Sequence, residues 1–332
     1  MDVTATADTS AEKKAAPIEL VGIRKQYPDG TVAVGDLSLK VRAGELVVLI
    51  GPSGCGKSTV LRMINRLIEP SAGRILLDGE DVTQVDPVRL RRRIGYVIQN
   101  VGLFPHQTIL ANVGTVPRLL GWPKARIRQR SEELLDLVGL DPAKFGKRYP
   151  QELSGGQRQR VGVARALAAD PVVLLMDEPF SAVDPIVRGR LQEEFLRLQA
   201  DVRKTIVLVT HDLDEAVRLG DRIAVLSQGG KLEQYDSPAN LLGRPASPFV
   251  REFVGADRGI RRLAVTPVSR EMLDPLTADS GDYPSAELGI SLYDALASML
   301  VTNSDHLRVV DGGMPVGLLT RHRLLSIDYP AE

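Results

Sequence analysis

Short apolar runs mark the most deeply buried strands of this chain. Residues 46–50, 172–176 and 205–210 are almost entirely apolar. Strands of this kind are buried on both faces, as in a parallel sheet that is covered by helices. Residues 18–41 instead alternate apolar and polar positions around a turn at residues 28–30, which predicts an antiparallel strand pair. The pattern therefore predicts an α/β core with an added antiparallel sheet.

The stretch between the first two runs changes to a helical period. Apolar residues at helical spacing predict helix from about residue 117 to 140, inserted into the α/β core. A basic stretch before it leads into a strand that we expect to end at Gln99. Further on, residues 222–235 predict a hairpin that turns at Gly229 and Gly230. The helical positions are Ile127, Leu134, Leu135 and Val138.

The two ends of the chain have a different character from the middle. Residues 1–16 lack apolar periodicity and are expected to be a disordered tail. Residues 257–290 contain several helix and strand breakers, as in a linker or an irregular subdomain. The last stretch predicts a helix (292–300), two strands (307–310 and 316–319) and a short helix after Thr320. Because so small a unit is near the limit of independent folding, we expect it to pack on residues 257–290 or on a second copy.

Composition excludes some classes of partner and compartment. Lysine plus arginine and aspartate plus glutamate both number 42, so no global field attracts nucleic acid. Cys55 is the one cysteine, which forbids an internal disulfide and fits a reducing compartment. Since no apolar run reaches the roughly 18 residues that span a bilayer, we expect a soluble, cytoplasmic protein. Any role at a membrane then requires a partner.

The strongest chemical signal follows the first apolar run. Residues 51–58 have the pattern G-x-x-x-x-G-K-S between a predicted strand and a predicted helix, which is a complete phosphate-binding loop. Its glycines let backbone N–H groups surround a polyphosphate, Lys57 neutralises the β- and γ-phosphates, and the Ser58 hydroxyl binds Mg²⁺. The sequence therefore predicts a nucleoside triphosphate site. The loop residues are Gly51, Pro52, Ser53, Gly54, Cys55, Gly56, Lys57, Ser58 and Thr59.

Carboxylates follow the second apolar run and a histidine follows the third. In a parallel sheet, the carboxyl ends of strands lie beside the phosphate loop. Asp177 is then placed to hold Mg²⁺, and Glu178 to polarise a water for attack on the γ-phosphate. For His211 two roles remain open: a contact to the γ-phosphate, or a structural role. For Tyr27 the alternatives are stacking on a base and packing within a strand.

A second glycine-rich helix start occurs at residues 153–157. Ser154 is a predicted N-cap for a helix from Gln157 to about Ala169. A helix N-terminus favours an anion, yet the chain has a single lysine-bearing phosphate loop. If two chains meet, the two glycine-rich helix starts can bind one nucleotide from opposite sides.

Together these motifs resemble the ATP-binding cassette subunits of membrane transporters, over about residues 18–255. The resemblance places Gln99 at the Q-loop, residues 181–184 at the D-loop, His211 at the switch histidine and Tyr27 at the adenine-stacking aromatic. It implies ATP and Mg²⁺ as cofactors, with Mg²⁺ held by Ser58, Gln99 and Asp177, and Glu178 and His211 as the catalytic residues. The residues of the signature motif that meet ATP in trans, and the D-loop aspartate, are Ser154, Gly155, Gly156, Gln157 and Asp184.

The resemblance also implies an architecture and partners. The fold expected is a phosphate-loop NTPase cassette over residues 17–255, with a mixed-sheet core, an antiparallel β subdomain and a helical subdomain at about residues 100–168. Two such chains form a head-to-tail homodimer at the cytoplasmic face of the membrane. Permease subunits contact the surface around residues 99–106, and an extracytoplasmic substrate-binding protein acts indirectly.

Within this family the chain looks most like importers of osmoprotectants: glycine betaine, choline, carnitine and proline. The similar segments are residues 94–106 and 177–185. An importer for another small solute such as amino acids, or a soluble non-transport ATPase, are the alternatives. Residues 256–290 are then a linker or irregular subdomain, and residues 291–332 resemble a single CBS motif. There, Arg321, His322 and Arg323 form a predicted cation cluster that responds to ionic strength, the alternative being a structural tail.

Overall fold

The computed structural model describes residues 15–99, 101–181, 183–276 and 283–326. Residues 1–14 of the expected tail lie outside this range. Ala16, which we placed in that tail, is instead buried, and its N–H donates to the carbonyl of Val172 at 3.2 Å. The expected tail is therefore wrong for Ala16, which packs in the core because its small apolar side chain adjoins β1.

The antiparallel sheet predicted at the start of the chain is confirmed. Strands β1 (Ile18–Gln26) and β2 (Val32–Val41) pair with Ile18 opposite Val41. Strands β4 (Ala72–Leu77) and β5 (Glu80–Asp81) extend the sheet in the order β2-β1-β4-β5. Alternate residues of β1 and β2 are buried, as the sequence pattern requires.

A second, six-stranded sheet carries the apolar runs. Its strands are β3 (Leu46–Ile50), β6 (Ile94–Val97), β7 (Val173–Asp177), β8 (Thr205–Val209), β9 (Arg222–Ser227) and β10 (Lys231–Asp236), in the order β10-β9-β3-β8-β7-β6. The pairs β3/β8, β8/β7 and β7/β6 are parallel. Every residue of β3, β7 and β8 is buried, as predicted for strands covered on both faces.

Two predicted boundaries differ from the structure. Strand β6 ends at Val97, so the strand expected to reach Gln99 is wrong by two residues, and Gln99 lies in the loop beyond the sheet edge. The helix expected over residues 117–140 is two helices, α4 (Thr115–Leu119) and α5 (Lys124–Leu137). Gly121, with φ of 74°, and Pro123, which lacks an N–H, separate them.

The remaining helices of the first part of the chain include those of the predicted helical insertion.

The helix that follows the signature motif, called the signature helix below, begins at Gly155 with a reciprocal capping box. In it, Ser154 Oγ accepts from the Gln157 N–H at 3.3 Å, and Gln157 Oε1 accepts from the Ser154 N–H at 3.0 Å. The N-cap predicted at Ser154 is confirmed. The signature helix is α7 (Gly155–Leu167), and the other helices of this part of the chain are α1 (Lys57–Ile64), α2 (Pro87–Arg93), α3 (Ile109–Val113), α6 (Pro142–Phe145) and α8 (Pro185–Val202).

The chain divides into two compact units, residues 1–212 with 224–232, and residues 213–223 with 233–332. The first unit holds the phosphate loop and all the catalytic residues predicted above. The second begins earlier in the chain than the boundary that we placed at residue 255. It contains helices α9 (Leu213–Leu219), α10 (Pro238–Gly243), α11 (Pro248–Val254), α12 (Arg258–Val265), α13 (Leu292–Val301) and α14 (Arg321–Leu325).

The second unit also contains a three-stranded sheet of β11 (Ser285–Glu287), β12 (His306–Asp311) and β13 (Met314–Thr320), in that order. β11 runs parallel to β12, and β12 antiparallel to β13. The predicted order helix, strand, strand, helix is present. Residues 256–290 were expected to be a linker or an irregular subdomain. Their described part fits the second alternative: it contributes α12 and a segment in which the Val268 N–H donates to Ile290 O at 2.8 Å and the Asp274 N–H donates to Leu318 O at 2.8 Å. This segment is therefore integral to the unit, because its backbone groups are paired with the sheet and with the residues before α13.

In the described part of the chain, no helix combines the length and apolarity that a membrane crossing requires.

Candidate functional site

The phosphate loop joins the end of β3 to the start of α1. Gly51, Gly54 and Gly56 have φ values of 156°, 78° and 107°. A Cβ on Gly51 would lie 2.1 Å from the carbonyl oxygen of Leu226, and one on Gly56 would lie 2.4 Å from that of Ala33. The loop path thus requires glycine, and it leaves backbone N–H groups to form an anion cradle at the start of α1.

Lys57 crosses back over this loop. Its side chain is buried, and its Nζ donates to the carbonyl oxygens of Gly51 at 2.7 Å and Pro52 at 2.9 Å. The Sγ atom of Cys55, which is fully buried, lies 3.7 Å from the same ammonium. The ammonium is thereby held against the cradle.

Ser58 and Asp177 bring two hard oxygen ligands together. The Ser58 hydroxyl donates to Asp177 Oδ1 at 2.9 Å. Burial raises the pKa of the Asp177 carboxyl; the nearby charge of Glu178 also raises it, while the Ser58 hydrogen bond and the charges of Arg62 and Lys57 oppose the rise. A carboxylate that is poorly solvated beside a hydroxyl is a donor set that suits Mg²⁺, so the residues present fit that ion.

Glu178 lies at the centre of the remaining cluster. Its Oε2 accepts from Gln99 Nε2 at 3.0 Å, and its Oε1 lies 3.2 Å from Nδ1 of His211. Its backbone N–H donates to Val209 O at 2.9 Å, which ties it to the end of β8. The structure therefore brings together the predicted residues of three separate loops, with a carboxylate held by two side chains at the carboxyl edge of the sheet.

The other predicted site residues have their described contacts outside this cluster. Tyr27 is 36% exposed just after β1, with Lys25 Nζ 5.3 Å from its ring centroid, so a ring face is accessible for stacking. The signature residues Ser154 and Gln157 form hydrogen bonds with each other at the start of their helix. The carbonyl of Asp184 in the D-loop accepts the N–H of Arg188 at 2.8 Å.

One ion pair beside the cluster was not predicted. Arg188 Nη1 lies 3.3 Å from Oδ2 of Asp212, the residue after His211. Strand order could have predicted this pair. Because β7 and β8 are parallel neighbours, opposite charges in the segments that follow them meet at one edge of the sheet.

Comparison with known proteins agrees with this geometry. The family model described as ABC transporter matches residues 34–181. The osmoprotectant import ATP-binding protein OsmV of Salmonella typhimurium is 52% identical over 291 residues, which cover 87% of this chain and 74% of OsmV. The chain belongs to the ABC transporter family. The glycine betaine/carnitine/choline transport ATP-binding protein OpuCA of Bacillus subtilis is 47% identical over 308 residues, covering 92% of this chain and 80% of OpuCA.

Solved structures of ABC cassettes also match. A dimeric, post-hydrolysis structure of the ATP-binding cassette MJ0796 bound to ADP and Pi has a TM-score of 0.60 and 34% identity, and covers 67% of this chain and 98% of that one. The predicted cassette fold is confirmed, and the protein is an ABC-type ATPase.

Proposed function

We propose that this chain is the ATP-hydrolysing subunit of an importer for quaternary-ammonium osmoprotectants such as glycine betaine, choline and carnitine, or for proline. The observation that carries the proposal is the extent of the similarity: OsmV and OpuCA match 87% and 92% of the chain, well beyond the 67% matched by the MJ0796 cassette. The likeness to osmoprotectant proteins therefore includes residues of the second unit.

In this proposal the phosphate loop binds ATP and the neighbouring oxygens bind Mg²⁺. The backbone of residues 51–59 and the ammonium of Lys57 bind the phosphates. Ser58 and Asp177 hold Mg²⁺, with Gln99 nearby, and Tyr27 stacks on the base. The bound ion supplies positive charge to the oxygens of the transferred phosphoryl group.

Glu178 and His211 carry out the proton and positioning steps. Glu178 accepts one hydrogen bond from Gln99 on Oε2, which orients its carboxylate to polarise an attacking water. His211, 59% exposed at its side chain and 3.2 Å from Glu178, orients the carboxylate and contacts the γ-phosphate. Both residues lie at the end of strands whose positions are fixed by the parallel sheet.

We further propose that two copies act together. The signature residues 154–157 lie at a helix N-terminus, which favours an anion, and their own chain's phosphate loop is already complete with Lys57. The phosphate loop covers one side of the nucleotide, and the signature residues of a second chain cover the other side. ATP then favours the closed dimer over the open one by its differential affinity for the two.

A permease partner is proposed at a groove near the Q-loop. The groove has a volume of about 340 Å³ and carries exposed apolar side chains at Ile98 and Phe104, together with the arginines Arg92 and Arg165. An amphipathic helix with acidic residues matches such a surface. Binding there places the ATPase at the cytoplasmic face of the membrane.

The transported solute is tested in the assembled transporter. With permease and binding protein reconstituted in lipid, ATP hydrolysis should rise when the binding protein is loaded with glycine betaine or choline, and not with a sugar or peptide. Stimulation only by amino acids other than proline would contradict the osmoprotectant assignment. Hydrolysis that no permease changes would contradict the transport assignment.

A further inference from the structure

Arg188 joins two loops of the ATPase site. It lies in the first turn of α8, directly after the D-loop. Its Nη1 lies 3.3 Å from Asp212 Oδ2, and its Nη2 donates to the carbonyl of Val183, a D-loop residue, at 3.2 Å. One guanidinium thus contacts the D-loop and the switch turn (residues 210–212) at the same time.

The switch turn is fixed at its other end. The N–H of Asp212 donates to Thr210 Oγ1 at 3.0 Å, and Thr210 is buried, with its own N–H on Leu49 O at 3.2 Å. His211 lies between these two residues and contacts Glu178. The position of His211 therefore depends on Asp212, which Arg188 holds.

The same helix touches the signature motif. A Cβ on Gly156 would lie 3.2 Å from Cδ1 of Leu191 and 3.5 Å from Cγ1 of Val187, so the signature helix packs closely on the first turns of α8. Arg188 stands between these two contact residues in the sequence. A displacement of the D-loop would therefore act on Arg188 through Val183, and a displacement of the signature helix would act on the residues of α8 that flank Arg188.

We propose that Arg188 is a positioning residue that couples the D-loop to the switch histidine, and so keeps His211 and Glu178 aligned for hydrolysis. This inference rests on the roles proposed above for those two residues. The side chain of Arg188 is only 27% exposed, and its Nε is buried without a hydrogen-bond partner. An arginine fork reaches two acceptors in one plane, whereas a lysine ammonium is a single point charge that cannot bridge both with the same geometry.

The test compares Arg188→Met and Arg188→Lys with the unaltered protein. We expect kcat for MgATP to fall about 10- to 100-fold in both variants, because a small misalignment of catalytic groups has an effect of this size. KM for ATP, the dissociation constant for a fluorescent ATP analogue and the unfolding temperature should stay near those of the unaltered protein. Asp212→Asn should lower kcat similarly, and the double variant Arg188→Met/Asp212→Asn should fall no further than the larger single effect, since both remove one bridge.

Arg160 provides a matched control. Its Nη2 lies 2.8 Å from Glu194 and its Nη1 donates to Val138 O at 3.4 Å, so it too joins a carboxylate to a carbonyl, at a side-chain exposure of 22%. Arg160→Met should leave kcat within about twofold, because its partners Glu194 and Val138 are not among the proposed catalytic residues.

Several results would overturn the proposal. These are an unchanged kcat in Arg188→Met, full activity in Arg188→Lys, an equal loss in Arg160→Met, or a joint fall of kcat, nucleotide affinity and unfolding temperature. If Arg188→Met does not fold, Asp212→Asn alone decides by the same criteria. Glu178→Gln is measured in parallel: normal turnover there refutes the proposed role of Glu178, a failure separate from that of Arg188.

Discussion

Glu178 adopts a backbone conformation that is unfavourable for its residue type. Its φ is 46°, in the left-handed region, which costs a residue with a Cβ roughly 1–2 kcal/mol. Hydrogen bonds to Val209 and Gln99 and the contact with His211 Nδ1 hold it there. Strain of this kind is maintained where a side chain must project in one direction, and here the carboxylate projects from the end of β7.

Replacing the Glu178 carboxylate tests its role in hydrolysis. Glu178→Gln keeps the size and the hydrogen-bonding reach of the side chain but removes its basicity. We expect ATP affinity to persist and turnover to fall by at least about 100-fold, the usual contribution of a general base. Steady-state hydrolysis and gel filtration with ATP measure this, and the variant should accumulate as an ATP-bound dimer.

Lys57→Ala provides the contrast for that experiment. Because the Lys57 ammonium faces the cradle, its loss should weaken nucleotide binding itself, before any effect on chemistry. Normal turnover in Glu178→Gln would contradict the role of Glu178 in hydrolysis. Normal nucleotide affinity in Lys57→Ala would contradict the role of Lys57 in binding.

At the scale of elements, the strand-loop-helix unit of β3 and α1 is fixed by close backbone contacts. Gly51→Ala should destabilise the fold by about 1–3 kcal/mol, the usual effect of overpacking, because the added methyl meets the carbonyl of Leu226 and the buried Cys55 Sγ. Nucleotide binding should fall with it. Thermal unfolding with and without MgATP measures both effects.

Gly54→Ala is the matched control in the same loop. Gly54 also has a positive φ, 78°, but a Cβ there meets nothing within 4 Å. Its substitution therefore carries only the conformational cost of an alanine in that region. Equal losses in the two variants would show that the close approach at Gly51 is not what fixes the loop.

The sequence predicts the elements that depend on local pattern. The strands β3, β7 and β8 follow from apolar runs, and the meeting of Ser58, Asp177 and His211 near one edge follows from parallel strand order. For residues 256–290 the sequence left a linker and an irregular subdomain as alternatives, because the backbone partners of this segment, such as Leu318 for Asp274, are distant in the chain and leave no periodic signal. The bridge made by Arg188 was missed for a related reason, since it depends on side-chain direction at a helix start.

The cation cluster predicted near the C-terminus is another place where the sequence does not reveal the partners of charged side chains. Arg321 Nε lies 3.2 Å from Asp305, and Arg323 Nε lies 3.1 Å from Asp274. The two arginines are thus paired within their own unit, with carboxylates that no sequence spacing associates with them. Exposed pairs of this kind each contribute about 0–1 kcal/mol and weaken with salt.

At the scale of the whole molecule, the site and the salt-sensitive pairs belong to different units. Removal of residues 266–332 should leave ATP binding and basal hydrolysis intact, since every proposed catalytic residue lies in the first unit. It should flatten the dependence of transport on ionic strength, because the pairs of Arg321 and Arg323 are lost. The measurement is uptake by the transporter reconstituted in anionic lipid over a range of salt concentrations.

The cut must fall after α12, and an earlier cut is the control. Arg261 Nε lies 2.6 Å from Asp214 of α9, so removal from residue 257 onward also strips a contact from the start of the second unit. The earlier cut should therefore lower the unfolding temperature more than the later one. A salt response that survives the later cut would place the sensor elsewhere.

The position of β3 within its sheet has a consequence for the order in which the protein folds. In the sheet order, β3 lies between β9 and β8, and Leu46 pairs with Ile206. Strands β1, β2 and β4 can pair as soon as residue 77 leaves the ribosome, whereas β3 must wait for residues 205–209. Contacts so distant in sequence form slowly. During synthesis, the strand that carries the phosphate loop thus has no sheet neighbour until long after the loop itself has been made. We expect a nascent chain that ends before about residue 209 to lack a stable nucleotide site.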